Sequence, residues 1–399
     1  MRALGMISGT SHDGIDVAVV DLEADGEVLR ATLRHTASTP YDPALRRRLR
    51  EALPPAPVGF DVVCELDTAI GQAFAQAAVA AAEAVAGTGP LDVVCSHGQT
   101  VFHWVEGAHA LGTLQLGQPA WLAEAVPVPV VSDVRAADVA AGGHGAPLVP
   151  LLDRLLLGPL VEDGARAGAL NLGGISNLSV CAPGVDPVAW DIGPAGALVD
   201  AVVVAATDGT QGYDEDGLLA AEGSVDRELL DLLLAEPYYA LPTPKSTGKE
   251  LFHGGYVDSA LARLGRRPVL PDLVATLTEL TARTVADAVT AARLDALVAA
   301  GGGVRNPVLV ARLEELAGVR VRTTDELGVP SGEKEAVAFA LIGWATLHGL
   351  PGNVPSCTGA AGPRVLGRVT PPTTGAWERP EPLSQWPTRL HVVREGTPV

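Results

Sequence analysis

The sequence predicts an α/β protein built from two related halves, and three observations carry that prediction. Two stretches, residues 5–21 and 171–180, repeat one design of strand, tight Gly/Ser/Thr turn and strand. Strand and helix patterns alternate along the rest of the chain. The 399 residues are 47% hydrophobic but only 4% aromatic and include 45 glycines, a composition suited to helices packed closely on sheets. At about 100–200 residues per domain, such a length makes two domains.

The first hairpin sets the turn Gly9 to Asp16 between Met6-Ile7 and the apolar run 17–20. Glycine lets a backbone approach an anion closely, and successive amides in such turns form anion-binding nests. An ordinary hairpin turn is the plain alternative. Between 61 and 85, Leu66, Ile70, Ala73, Phe74 and Ala77 recur at helical spacing. Residues 91–95 form a short strand ending in a polar loop, 96–100, at the sheet edge where open α/β folds hold ligands. Residues 128–131 form another strand. They are followed by Ser132 to Arg135 and by the glycine-rich 141–147, the best candidate for a domain boundary.

The second half opens with the Asn171 hairpin and reaches Asp191 at a strand end, with Pro194 suited to a first helical position. A helix cap is the competing role for Asp191. The turn at 244–250 lacks the spacing GxxxxGK[ST] and is not a phosphate loop of that class; it reads as a polar turn facing a ligand. Leu273, Leu277, Leu280, Thr284 and Ala288 mark a long helix, followed by a strand at 294–300. That strand enters Gly301-Gly302-Gly303, where a base or ribose could lie against bare backbone beside a helix N-terminus. A flexible turn is its bland reading. A strand at 319–323 and a helix at 331–347 follow, and beyond 371 the chain reads as an irregular proline-rich extension with Trp377 and Trp386 as docking points.

The net charge of −19 opposes a nucleic-acid partner. No apolar run approaches the ~20 residues that span a bilayer, and the first residues lack the features of a secretory signal, so a cytoplasmic protein with no membrane partner is expected. Cys64, Cys95, Cys181 and Cys357 have no paired spacing and read as small buried hydrophobes. No histidine pattern provides a structural transition-metal site.

Several motifs together carry a family resemblance: Met6 to Asp16, Ser96-His97-Gly98-Gln99-Thr100, Thr113 to Gly117, Ala140 to Pro150 and Asn171 to Asn177. Trp190-Asp191-Ile192-Gly193-Pro194, Pro237 to Gly248, Gly301 to Pro307 and Pro355 to Ala360 complete the series. In this order, over roughly residues 1–371, the chain resembles the anhydro-N-acetylmuramic acid kinases. The resemblance implies two ribonuclease-H-like domains of the actin, Hsp70 and sugar kinase type with ATP in an interdomain cleft. The implied bounds are 1–137 with about 350–371, then 138–349, then a tail at 372–399.

It also implies the reaction: water opens the 1,6-anhydro ring of anhydro-N-acetylmuramic acid while O6 receives the γ-phosphoryl group of ATP, in peptidoglycan recycling and amino-sugar metabolism. By this analogy Gly9, Thr10, Ser11, His12, Asp13, Gly14, Ile15 and Asp16 grip the phosphates. Gly173, Gly174, Ser176 and Asn177 complete the clamp, and Gly301, Gly302, Gly303 and Asn306 meet the adenosine. Phosphoryl transfer needs positioned donors and Mg²⁺, for which Asp13 and Asp16 are the candidates, acting through water; turn-forming acids are their bland reading. Asp191 falls at the family's catalytic carboxylate and is the expected general base. Glu335 matches a family acid near the sugar, with a first-turn helix acid as the competing role.

His97, Gln99, Asp133 and Arg135, at predicted strand ends, are candidates to read sugar hydroxyls and the lactyl carboxylate, Arg135 through its planar fork. A homodimer is implied by the family alone. The chain departs from the family pattern at His12, Ala136, Ala137, Ile192 and Gly196. A member acting on another sugar, or a nucleotide-binding protein without kinase chemistry, is the alternative reading.

Overall fold

The computed structural model describes residues 1–394 apart from Thr10, Ala108, Lys249 and Ala376. Its strands are β1 (Arg2–Ser8), β2 (Gly14–Asp25), β3 (Val28–Pro40), β4 (Val93–Glu106), β5 (His109–Leu116), β6 (Val130–Ser132), β7 (Ala167–Leu172), β8 (Ile175–Ala182), β9 (Val185–Pro194), β10 (Ala296–Ala300), β11 (Val321–Thr323), β12 (Arg368–Thr370) and β13 (Arg389–Arg394). The chain divides into two compact units, residues 1–158 with those from 333 onward, and residues 159–332.

Both predicted hairpins form, β1 with β2 and β7 with β8, each antiparallel. The first unit's sheet runs β12-β6-β4-β1-β2-β3-β13 with β5 on β4, and the second runs β11-β10-β7-β8-β9. In each, a three-strand antiparallel meander is extended on the far side of its first strand by two parallel strands. Parallel neighbours need crossover connections. The Phe60–Ala84 helix leads to β4, the Leu270–Ala291 helix to β10 and the Pro307–Ala317 helix to β11. The orders β3-β2-β1-β4-β6 and β9-β8-β7-β10-β11 share one arrangement, the ribonuclease-H-like topology. Its occurrence twice gives the mixed α/β fold of the actin-like ATPases and sugar kinases.

In the first unit, Leu4, Met6, Val17 and Val19 meet Leu66, Ile70 and Phe74 of the Phe60–Ala84 helix. Each such large side chain contributes about 1.5–3 kcal/mol on full burial. On the first strand, a Cβ at Gly5 would lie 2.0 Å from the Ala336 carbonyl oxygen and 2.2 Å from the Ala340 nitrogen. Only glycine lets the Lys334–Leu347 helix press so closely on β1, and this approach sets the position of Glu335. In the second unit, Leu170, Leu178 and Leu297 pack on Ala282 and Val285 of the Leu270–Ala291 helix.

Four local expectations are corrected. Residues 96–100 are not a loop: β4 continues to Glu106, with Ser96 and Gln99 in register with β1 and Gln99 and Thr100 with β5. Gln99 and Thr100 are hydrogen-bonded within the sheet, to Ser8 and to Gln115, whereas the buried Ser96 hydroxyl has no partner among the described residues. Pro194 closes β9 rather than starting a helix, and the Gly196–Ala206 helix begins after Ala195, without a side-chain cap. Cys64 is exposed, whereas Cys95 and Cys181 are buried. The tail is partly ordered: β13 pairs in parallel with β3, and Trp386 donates to the Pro351 carbonyl at 2.8 Å while packing on Trp344.

Candidate active site

In the first unit the β1–β2 turn is braced from several sides. Gln99 is fully buried, its Nε2 3.2 Å from the Gly9 carbonyl and its Oε1 2.7 Å from Ser8 Oγ. Ser8 Oγ also donates to the Gly14 carbonyl at 2.7 Å. Arg46 Nε donates to the His12 carbonyl at 2.9 Å, and the Tyr41 amide to the Asp13 carbonyl at 2.9 Å. His12 holds a left-handed φ of 53°, a conformation uncommon outside glycine. Asp13 accepts from Ser11 Oγ at 2.7 Å and is exposed. Asp16 is half-buried, and burial pushes its carboxyl above the ordinary range, against a hydrogen bond from Ser38 and with help from Asp13.

Beside this turn lies a charged group built on β4, the segment after β6 and the Lys334–Leu347 helix. Arg135 donates through Nε to His97 Nε2 at 2.7 Å and through Nη1 to the Gly145 carbonyl at 2.6 Å. A nitrogen that accepts from Arg135 carries no proton, so the His97 proton sits on Nδ1, 3.0 Å from the Gly98 carbonyl. Burial, reinforced by Arg135, holds the His97 pKa well below its usual value and keeps the ring neutral. His97 also packs on Phe339 at 4.8 Å, one turn along the helix from Glu335. Glu335 keeps solvent access but is flanked by protein. That desolvation pushes its carboxyl up, and so does Asp16, whereas Arg135 and Lys334 pull it down. Lys334 itself is buried in an ion pair with Asp153 at 2.5 Å.

Arg135 owes its place to a buried hub. Asp138, fully buried, accepts from the Gly145 amide, Asn353 Nδ2 and Thr358 Oγ1, each at 2.7 Å. It ties the glycine-rich segment 142–147 to a part of the chain more than two hundred residues away.

In the second unit the two glycine turns converge on one cavity of about 560 Å³, lined by Gly173, Gly174, Gly196, Gly302, Gly303 and Asn306 among others. Gly301 has φ 90°, and a Cβ there would lie 2.7 Å from both Asn171 Oδ1 and the Leu172 carbonyl oxygen. Glycine is therefore required at 301, which stands behind the lining rather than in it. The carbonyls of Gly173 and Gly174 accept from the amides of Gly196 and Ala195 at 2.9 Å, so the turn itself satisfies the start of the Gly196–Ala206 helix. Asn306 caps the Pro307–Ala317 helix through the Leu309 amide at 3.0 Å. Ser176 is buried and donates to the Gly193 carbonyl at 3.0 Å, and Asn177 stands opposite Asp191 in the β8–β9 ladder.

Asp191 is not a helix cap. It lies within β9, and its Oδ2 accepts from Ser246 Oγ at 2.8 Å and from the Thr247 amide at 3.1 Å. Its own amide donates to the Lys245 carbonyl at 3.0 Å, and its carbonyl accepts from Tyr238 Oη at 2.7 Å. Burial raises the carboxyl pKa despite those two donors, with Glu250 adding to the rise. A carboxylate so placed is a proton acceptor held in one orientation.

The sequence profile of the family "Anhydro-N-acetylmuramic acid kinase" matches residues 1–372. The chain belongs to the anhydro-N-acetylmuramic acid kinase family. Relatives bearing that name are 54% identical in Streptomyces avermitilis, over 98% of this chain and 99% of the relative, and 51% identical in Streptomyces coelicolor over the same shares. A third, from Rhodococcus erythropolis, is 50% identical over 94% of this chain and 95% of its own length. Membership in the family makes the chain an ATP-dependent kinase.

Against the family's expected sites, the first unit gathers Gly9, Ser11, His12, Asp13, Gly14 and Asp16 at one turn; Thr10 lies outside the described residues. Ile15 is 1% exposed and belongs to the apolar core, which leaves only its backbone for a ligand. Gln99 and His97 have their polar atoms committed to the turn, to the Gly98 carbonyl and to Arg135. Asp133, at φ 54°, is paired with Arg368 at 2.7 Å. Among the family departures, Ile192 is core and Gly196 forms cavity wall. Sequence reasoning missed Ser246, Thr247 and Asp138. The first two were legible only as a polar turn, and Asp138 had no local signal because its partners are remote in sequence.

Proposed function

We propose that the protein is the kinase that opens the 1,6-anhydro ring of anhydro-N-acetylmuramic acid with water and phosphorylates O6 at the expense of ATP. The observation that carries this is the Asp191 carboxylate, fixed by two donors on one oxygen and raised in basicity by burial, in a chain of this family. Water oxygen bonds the anomeric carbon, and its proton passes to Asp191. The C1–O6 bond breaks with its electron pair on O6, O6 bonds the γ-phosphorus, and the β–γ bridging bond breaks to leave ADP. N-acetylmuramic acid 6-phosphate is the other product.

The cavity lined by Gly173, Gly174, Gly302 and Gly303 suits adenosine, since bare backbone admits a flat ring and a ribose. The amides of the Gly9 turn suit phosphate oxygens. Arg135 has Nε and one Nη1 proton engaged, which leaves the outer edge of its fork for the lactyl carboxylate. Glu335, close enough to Arg135 and Asp16 to feel both charges, is the acid on the sugar side.

The donor set also fits Mg²⁺. Asp13 and Asp16 offer hard carboxylate oxygens; burial raises the Asp16 carboxyl and Asp13 adds to that rise, and a divalent cation relieves the repulsion between the two. When bound, the ion neutralises charge on the phosphates. No helix among the described residues is long and apolar enough to cross a membrane. On this reading the protein works in the cytoplasm in peptidoglycan recycling, on a small-molecule amino sugar, with a homodimer as the family's expected assembly. The test is coupled ADP release: anhydro-N-acetylmuramic acid should stimulate it strongly, and nucleotide binding without sugar-dependent ADP release would refute the assignment.

A further inference from the structure

Both hydrogen bonds to the Asp191 side chain land on Oδ2, from Ser246 Oγ at 2.8 Å and the Thr247 amide at 3.1 Å. Oδ1 has no hydrogen-bond partner among the described residues. The peptide on either side of the residue is fixed as well, by the Lys245 carbonyl and by Tyr238 Oη. The segment that supplies these contacts is itself pinned: Lys245 Nζ donates to the Tyr238 and Tyr239 carbonyls, both at 2.9 Å, and sits 4.5 Å from the centre of the Tyr238 ring. Tyr238, Tyr239 and Phe252 pack ring on ring beneath it. A short segment, 238–247, thus grips Asp191 at its amide, its carbonyl and one carboxylate oxygen, and leaves the other oxygen open.

We infer that Ser246 is a positioning residue for ring opening: it splits the two oxygens of Asp191 by role, holding Oδ2 so that Oδ1 alone takes the proton of the attacking water. The inference rests on the reading of Asp191 as the base. A lone pair of the water oxygen forms the bond to the anomeric carbon, the O–H pair stays on that oxygen and the proton moves to Oδ1; the proton leaves to solvent after the sugar phosphate departs. Rotation about the Cβ–Cγ bond would exchange the two oxygens, and the Ser246 and Thr247 donors oppose that rotation. A free hydroxyl is the appropriate partner, because it stabilises the ionised carboxylate without competing for the proton at Oδ1.

The charged and titratable groups around Asp191 define what else could move its titration. Glu250 raises its carboxyl, the Tyr238 hydroxyl is held neutral by burial, and Lys245 is occupied by backbone carbonyls and pulled down by burial. None of these is removed by a change at Ser246. Because the Ser246 hydrogen bond lowers the Asp191 pKa, its loss moves the group further up.

The test uses the full-length protein with Ser246→Ala and Ser246→Thr, following kcat against pH by ADP release, with Asp191→Asn beside them. Ser246 is on an exposed turn, so its removal leaves the fold intact, as a melting curve verifies. The inference expects the acid limb of kcat to move upward by about one pH unit in Ser246→Ala, from the size of one hydrogen bond to a charged group. It also expects a plateau lowered about three- to tenfold, KM for ATP unchanged, and recovery of both limb and plateau in Ser246→Thr. An acid limb that stays in place in Ser246→Ala, while Asp191→Asn is inactive, overturns the inference and leaves the base assignment standing. Sustained turnover in Asp191→Asn fails the base assignment itself.

Discussion

Asp191→Asn should abolish most turnover while leaving the fold and nucleotide binding intact. The replacement is isosteric, and its amide oxygen can accept from Ser246 and Thr247 as Oδ2 does, so the side chain keeps its place and loses only its basicity. Positioned general base catalysis contributes about 10²–10⁴-fold, so kcat should fall by that factor, equivalent to about 3–5 kcal/mol in the barrier. Stability should move the other way. Burial raises the Asp191 carboxyl pKa, so the fold disfavours its ionised form; stability from this group is full below the unfolded pKa and is lost as pH rises through the folded one. At neutral pH a neutral Asn removes that penalty, and the melting temperature should hold or rise. Sugar-stimulated ADP release, calorimetric binding of an ATP analogue and a thermal melt read the three quantities. Turnover within tenfold of the parent would refute the base assignment, and a lower melting temperature with lost nucleotide binding would make Asp191 a structural residue.

Other predictions follow from the same geometry. Gly302→Val should raise KM for ATP at least tenfold with an unchanged melt, because a Cβ at 302 meets nothing within 4 Å and the added methyls enter the cavity. Arg135→Lys should raise KM for the sugar about tenfold with KM for ATP unchanged, since an ammonium cannot serve His97, the Gly145 carbonyl and a carboxylate together. Asp138→Ala should cost at least about 1–3 kcal/mol in urea unfolding, the cost of one unsatisfied buried donor, because three such donors lose their acceptor. In the parent enzyme kcat should increase with pH through a carboxyl titration above the ordinary Asp value, the direction set by burial of Asp191, and that limb should vanish with the residual activity of Asp191→Asn.

The parts of this fold legible in the sequence are those fixed by local pattern. The two hairpins follow from apolar alternation interrupted by glycine, and the Phe60–Ala84 helix from Leu66, Ile70 and Phe74 on one face. The Gly301 turn was legible because three glycines between a strand and a helix answer a steric demand that the structure makes explicit at Gly301. What local pattern could not supply was pairing. Residues 96–100 read as a loop from their polarity, yet β1 and β5 on either side absorb them into a strand. The last strand, β13, finds its partner β3 across most of the chain. At the site, Asp191 was legible as a carboxylate from its motif, but the donors that divide its two oxygens come from a turn some fifty-five residues downstream. Asp138 shows the same limit, since Asn353 and Thr358 are remote and no spacing links them to it.

The product of the reaction tests the central claim most directly. Purified protein, ATP, Mg²⁺ and 1,6-anhydro-N-acetylmuramic acid should yield, by mass spectrometry and phosphorus–proton coupling in NMR, a sugar that has gained both one water and one phosphoryl group, with phosphate on O6 and a free anomeric centre. A phosphorylated sugar with its anhydro ring intact, or ADP formed without any change in the sugar, would contradict the account.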